Sequence, residues 1–246
     1  MGSVIAILSG KGGTGKTTVC AGIAVALAQG GERVLCVDCD VGLRNLDIPL
    51  AMTDCCPLSF LDISEGAHTL TDAAVHPMHP SLAFLTAPAT RTADQVNRDA
   101  FENMLREARK QFDYILLDAP AGVESGFRLV SSAADRCVLV TGSGPAAVRD
   151  AARVGDILEL AGKRDIRLIV NRVDRAMLSI LDQTIDDVMD AAGLPLLGVV
   201  LEDPDVAMAA ACGMTALRYN KRSTAVKSFQ RIAKRIQGFP EPIKIR

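Results

Sequence analysis

The chain has 246 residues, of which 49% are hydrophobic and 23% charged, with a formal net charge of −2 and an isoelectric point of about 5.9. That is enough apolar material for one substantial α/β core, and the charge balance gives no general case for nucleic acid as a partner. No apolar run spans a bilayer, the N-terminus lacks the regions of a secretory signal, and Ala6 stands where a myristoylation start needs Ser or Thr, so the chain reads as cytosolic.

The first predicted element is an apolar strand over Val4–Leu8, followed by Gly10-Lys11-Gly12-Gly13-Thr14-Gly15-Lys16-Thr17 and a helix over Lys16–Gln29. The run fits a phosphate-binding loop. Its glycines let backbone N–H groups close around phosphate oxygens, Lys16 reaches toward β- and γ-phosphates, and the Thr17 hydroxyl is placed to ligate Mg²⁺. Gly10, Gly12 and Gly15 also satisfy the dinucleotide fingerprint, but Lys16-Thr17-Thr18 decides for a triphosphate, because a dinucleotide site needs neither a lysine nor a metal-binding hydroxyl there. An ordinary phosphate loop has no use for Lys11.

A second strand over Arg33–Val37 runs into Asp38-Cys39-Asp40, with a polar segment continuing to Asp47. A carboxylate at a strand tip can orient an attacking water or bind a metal-bound water; Asp is also favoured there by turn chemistry alone. Cys36 and Cys39 are three apart on a strand, so their sulfurs should face opposite sides, and Cys55-Cys56 falls in a loop. All seven cysteines read as reduced thiols.

Strands over Leu82–Thr86 and Tyr114–Leu117 flank a helix over Arg98–Lys110. The strand at Tyr114 ends in Asp118, as expected of the acid that holds Mg²⁺ or its water opposite Thr17, and Ala119–Gly122 reads as a loop sensitive to the γ-phosphate. Then come a strand over Arg136–Val140, a helix over Ala146–Ala161, a strand over Arg167–Val170 leading to the polar segment Asn171–Asp174, a helix over Leu178–Ala191, a strand over Leu196–Val200 and a helix over Ser223–Gln237. This alternation implies an α/β P-loop NTPase: one domain built on a doubly wound, mostly parallel sheet with helices on both faces. Residues 1–237 form its compact core and 238–246 a short tail. Ligands of such sheets bind beyond the carboxyl ends of the strands, where the segments at Ser9–Thr17, Asp38–Asp47, Asp118–Glu124 and Asn171–Asp174 all lie.

Lys11-Gly-Gly-Thr-Gly-Lys16-Thr17-Thr18 resembles the deviant Walker A motif of the MinD/ParA ATPases, and Gly42-Leu43-Arg44-Asn45-Leu46-Asp47 resembles the first switch of the MinD branch. Asp118–Glu124 and Val148-Arg149-Asp150 are similar to MinD segments too, and the likeness runs to about Gln237. The resemblance implies a slow, Mg-dependent ATPase that alternates between an ADP monomer and an ATP homodimer to regulate placement of the bacterial division septum. It assigns Lys11 to the partner's phosphates, Asp40 to the hydrolytic water, Asn171 and Arg172 to adenine, and the Glu202-Asp203 loop to covering the base. Leu201 stands where MinD carries a proline. The implied partners are a MinC-like inhibitor and a MinE-like activator meeting the switch and the Ala146–Ala161 helix.

The C-terminal region departs from the resemblance. MinD proteins end in an amphipathic membrane helix, whereas Pro240 and Pro242 here stop any further helix and Ile243–Arg246 is too short for one. The apolar stripe of Ser223–Gln237 is expected to pack on the core, with Lys227, Arg231, Lys234 and Arg235 adding affinity for an anionic surface. The expected location is cytoplasmic, extending to peripheral contact with the cytoplasmic face of the membrane. Two alternatives carry over: a ParA-like DNA- or cargo-positioning ATPase, which needs a basic dimer surface, and an iron–sulfur scaffold ATPase, which needs thiols at the dimer face.

Overall fold

The computed structural model describes residues 1–55, 57–89 and 91–243. Eight strands form one sheet: β1 (Ser3–Leu8), β2 (Val34–Asp38), β3 (Ala74–His76), β4 (His79–Leu85), β5 (Tyr114–Asp118), β6 (Arg136–Thr141), β7 (Ile166–Val173) and β8 (Leu196–Leu201). Their spatial order is β3-β4-β2-β5-β1-β6-β7-β8. Every pairing is parallel except that of β3 with β4.

Strands covered on both faces should read as unbroken apolar runs, and β1, β2, β5, β6 and β8 do. Two cores result. One contains Phe60, Phe101, Phe127, Val148 and Val188, brought by α2 (Phe60–Ser64), α3 (Arg98–Gln111), α4 (Ser125–Ala133), α5 (Pro145–Leu160) and α7 (Ile185–Ala192). The other is filled by α1 (Lys16–Gln29) and α10 (Thr224–Ile236). Cys36 belongs to the second core and Cys39 to the first, the divergence that strand alternation requires. Cys56 lies outside the described residues.

Several features differ from the expectations drawn from sequence. The edge strand β3 and the helix α4 were not anticipated. The helix expected over Leu178–Ala191 is two, α6 (Arg175–Ile180) and α7, because Asp182 takes a left-handed turn at φ 49° and Thr184 then caps α7 through a reciprocal box with Asp187. Two further helices, α8 (Pro204–Ala211) and α9 (Ala216–Tyr219), follow β8.

The apolar stripe of α10 lies in the core, with Val226, Phe229, Ile232, Ala233 and Ile236 all buried. A Cβ on Gly22 of α1 would overlap the Phe229 ring, and one on Gly198 of β8 would overlap Ile232, so both glycines set how closely α10 approaches. Each large apolar side chain buried this way contributes about 1.5–3 kcal/mol. Residues 244–246 lie outside the described residues, so the expectation for Ile243–Arg246 is not addressed beyond Ile243. No helix among the described residues is long and apolar enough to cross a membrane.

Candidate active site

The carboxyl ends of β1, β2 and β5 meet at mid-sheet. β2 and β5 run in register with Asp38 beside Asp118, on strands that lie about 4.8 Å apart. Both carboxylates share the α1 face, since Cys36 and Leu116, two residues back on each strand, belong to that core. Each is 1% exposed. Burial pushes Asp118 above the usual carboxylate range, opposed by the Lys16 ammonium and the Thr17 hydroxyl. Burial and then the Asp118 charge push Asp38 up to about 6. Two crowded, desolvated carboxylates of this kind are a strong local demand for a cation.

Lys16, the first residue of α1, meets that demand by donating to Asp118 Oδ1 at 2.6 Å, and it also lies 3.4 Å from Thr17 Oγ1. Asp38 has a different occupation. Its Oδ1 accepts the backbone N–H of Asp40 at 2.9 Å and its Oδ2 that of Leu46 at 3.1 Å. One carboxylate thereby ties the start of the Asp40–Leu46 loop to its end. Asp40 itself is half-buried at the loop mouth and raised by burial, with Lys16 opposing the shift and Asp118 adding to it. Asp38 is therefore placed to position the loop, and Asp40 to face what enters.

The phosphate loop has the shape of an anion cradle. Gly13 and Gly15 sit at φ 81°, and a Cβ at Gly12 or Gly13 would meet nothing within 4 Å. The Thr14 hydroxyl is buried without a hydrogen-bond partner among the described residues, and the N-terminus of α1 presents backbone N–H groups and its positive dipole end. An orphaned polar atom, an open glycine surface and a buried lysine fit a bound polyphosphate. Mg²⁺ keeps most of its water, so Thr17 and Asp118 are sufficient protein partners for it. Gly122 N–H donates to Ser9 O at 3.1 Å, which fastens the Ala119–Gly122 loop to the cradle.

Beside the cradle opens a cavity of about 300 Å³ whose lining includes Gly15, Thr18, Asn171, Arg172, Glu202 and Asp203. The Asn171 amide donates from Nδ2 to Thr14 O at 2.8 Å, which fixes its orientation and leaves Oδ1 as an acceptor. Arg172, at φ 56°, grips Glu202 through two hydrogen bonds of 2.8 and 3.2 Å, joining the ends of β7 and β8. Asp203 does not face the cavity with a spare carboxylate. Its Oδ1 caps α8 through Asp205 N–H, and its Oδ2 accepts from Ser223 Oγ, Thr224 N–H and Oγ1, and Ala225 N–H. Those donors outweigh burial and hold the group down at about 2. A carboxylate depressed in the folded state stabilises it fully above its unfolded value and loses that contribution as pH falls through the folded one. Asp203→Asn should therefore lower thermal stability at pH 7 and flatten its decline between about pH 4 and pH 2; an unchanged acid limb in circular-dichroism melts would show that the cap carries no charge dependence.

Lys11 is turned outward. Its ammonium lies 3.7 Å from Asp150 Oδ2 on α5, with side chains 50% and 44% exposed. Gly10 allows this proximity, because a Cβ there would lie 2.9 Å from that of Asp150. Asp150 was visible in sequence only as part of the Val148–Asp150 resemblance. Asp47 was likewise visible only as the end of the Gly42–Asp47 resemblance; its Oδ1 is buried without a hydrogen-bond partner among the described residues.

Residues 5–216 match the CbiA family, the CobQ/CobB/MinD/ParA nucleotide binding domain. The septum site-determining protein MinD of Synechocystis is 35% identical over 240 residues, covering 97% of this chain and 90% of its own. That of Bacillus subtilis is 35% identical across 100% of this chain and 92% of its own. Among solved structures, MinD in the Aquifex aeolicus MinC:MinD complex superposes with a TM-score of 0.90 at 32% identity, covering 98% of each chain. MinD of Pyrococcus horikoshii, solved with Mg-ADP, superposes with a TM-score of 0.81 at 29% identity and 96% coverage of each. The chain belongs to the CobQ/CobB/MinD/ParA nucleotide-binding family and, within it, to the septum site-determining MinD proteins.

Proposed function

We propose that this protein is a Mg-dependent ATPase that pairs with a second copy when ATP is bound, returns to a monomer on hydrolysis, and so times the recruitment of the proteins that place the division septum. The observation that carries this reading is the division of labour between two lysines of one loop. Lys16 is buried on Asp118, while Lys11 is half-exposed and, among the described residues, held by one long surface ion pair.

Each residue has a role that follows from its place. Gly10, Gly12, Gly13 and Gly15 shape the backbone around the phosphates with Thr14 and Thr18 alongside. Lys16 exchanges Asp118 for phosphate oxygens, which frees that carboxylate to work with Thr17 on the metal side. Mg²⁺ held through Thr17 and Asp118 would supply neutralisation of the charge on the phosphates. Asp40 orients the water or holds a metal-bound one, and Asp38 keeps the Asp40 loop in shape. Asn171 Oδ1 accepts from an exocyclic amine and so favours adenine over guanine, whose corresponding oxygen only accepts. Arg172, braced by Glu202, supplies a planar face for the base, and Asp203 secures the covering loop to α8 and α10. Lys11 completes the partner's site.

A MinC-like inhibitor as partner draws on the Aquifex complex; a MinE-like activator would meet the Asp40–Leu46 loop and α5 of the dimer. Peripheral attachment to the cytoplasmic face of the membrane has limited means within α10, because Lys234 is paired with Glu241 and Arg235 donates to Glu241 O and Leu196 O. Sedimentation velocity should show a monomer with Mg-ADP and a dimer with Mg-ATP, longer-lived in Asp40→Ala. A monomer under all three conditions would remove the cycle. Co-sedimentation with anionic vesicles in the same three states separates the membrane step from the dimer step.

A further inference from the structure

His76 ends the edge strand β3 and is buried at 4% exposure, although the nucleotide chemistry has no use for it. Its two ring nitrogens make opposite kinds of hydrogen bond. Met78 N–H points at Nδ1 from 3.1 Å, so Nδ1 must carry the lone pair. Leu50 O lies 2.9 Å from Nε2, and a carbonyl only accepts, so Nε2 must carry the proton. The ring is thereby fixed as the neutral Nε2–H form. Leu50 sits in a compact turn in which Leu50 N–H donates to Leu46 O, Ala51 N–H to Ile48 O and Met52 N–H to Asp47 O. Leu46, Leu50 and Met52 are fully buried against α1 and β2. Leu46 is also the residue whose N–H ends the switch loop on Asp38.

We propose that His76 is a positioning residue for the switch: its neutral ring joins the β3–β4 hairpin to Leu50, holding the 46–52 turn and through it the far end of the Asp40–Leu46 loop, and protonation releases that hold. A proton on Nδ1 would face the Met78 N–H donor to donor. The ring would have to turn, and turning takes Nε2 away from Leu50. The link to the switch rests on the ATPase reading above; the clamp itself does not.

The surroundings favour the neutral ring. His79 on β4 packs against it with ring centroids 4.9 Å apart, while the Leu50 carbonyl of the facing 46–52 turn pulls the other way without prevailing. Asp47 and Asp54, the carboxylates of that stretch, form no ion pair with it among the described residues. Burial first, and the His79 charge second, hold His76 below the ordinary histidine value, and His79 is itself lowered by burial. The folded protein then binds fewer protons here than the unfolded chain over a window that opens downward from about pH 6.5. The clamp is whole above that window and is lost as pH falls through the folded value.

Hydrogen exchange of the 46–52 amides, corrected for the intrinsic pH dependence and measured without nucleotide, tests this. Exchange should be up to about fivefold faster at about pH 5.8 than at pH 7.5, the most that one histidine ordinary in the open state and neutral in the closed one can contribute. In His76→Gln, whose amide donates and accepts without titrating, the two pH values should agree within about twofold; His79→Gln should keep the wild-type difference. Equal pH dependence in wild type and His76→Gln overturns the proposal, as does its absence in wild type. Should His76→Gln fold poorly, the ¹⁵N imidazole spectrum of the unmodified protein decides: an Nε2–H ring titrating below free histidine supports the clamp, and an Nδ1–H ring or an ordinary titration overturns it. ATP turnover at pH 7.5 is read in parallel. No turnover with the exchange pattern intact would remove the switch reading and leave the clamp; turnover without the pattern would do the reverse.

Discussion

Lys16→Met should lower ATP turnover by about 10²–10³-fold or more, the scale on which a single donor aimed at developing charge contributes. It should also destabilise the protein, because Lys16 and Asp118 form a 2.6 Å pair with side chains 6% and 1% exposed. Removing one partner of a buried pair costs about 3–5 kcal/mol when the other stays charged. Asp118 need not stay charged. Burial already pushes it upward, and without Lys16 it can take a proton, so the loss should sit at the low end of that range in mild acid. A carboxyl raised in the folded state makes the fold bind more protons than the unfolded chain above about pH 4, so the destabilisation should grow with pH until the folded value is passed. Lys16→Met/Asp118→Asn should recover most of the stability and lose that pH dependence, with no recovery of turnover. Urea unfolding at about pH 5 and pH 8 checks the first part and an ATPase assay the second. Equal stability loss at both pH values would mean that Asp118 does not hold the uncompensated charge.

The sequence revealed most where local chemistry and burial act together. The interior strands are covered on both faces, so β1, β5 and β6 are legible as apolar runs, and the phosphate loop is legible because its glycines and lysine serve one chemistry at fixed spacing. What escaped depends on distant partners. β3 has three residues, one of them the exposed Val75, and exists only because β4 is there to pair with it. The division between α6 and α7 was written locally in Thr184-Ile185-Asp186-Asp187, but an apolar period continuing across the break concealed it. Asp38 and Asp118 could each be placed at a strand tip; that they are neighbours required knowing that β2 lies beside β5 in register. That adjacency also relates two open readings of Asp38. Its carboxylate does ordinary turn chemistry on Asp40 and Leu46 N–H groups, and by doing so it shapes the loop that carries Asp40.

The same loop makes the expected behaviour of Lys11 separable from that of Lys16. A half-exposed ion pair at 3.7 Å is worth about 0–1 kcal/mol, so Lys11→Ala should unfold at nearly the wild-type denaturant concentration. Its turnover should nevertheless fall by about 10³-fold, the lower end of what a cation supplied in trans contributes. Mixing distinguishes a trans contact from a cis one. Lys11→Ala keeps its own Asp40 and lacks only the lysine it would lend, whereas Asp40→Ala lends Lys11 but cannot orient water. In a hybrid dimer the Lys11→Ala protomer's site receives Lys11 from the Asp40→Ala protomer and should work, while the second site lacks both. With equal amounts and random pairing, half the dimers are hybrids with one working site of two, so the mixture should regain about a quarter of wild-type turnover. Two preparations that are inactive alone and inactive together would place Lys11 in its own protomer's site and remove the reason for a dimer at the phosphate loop.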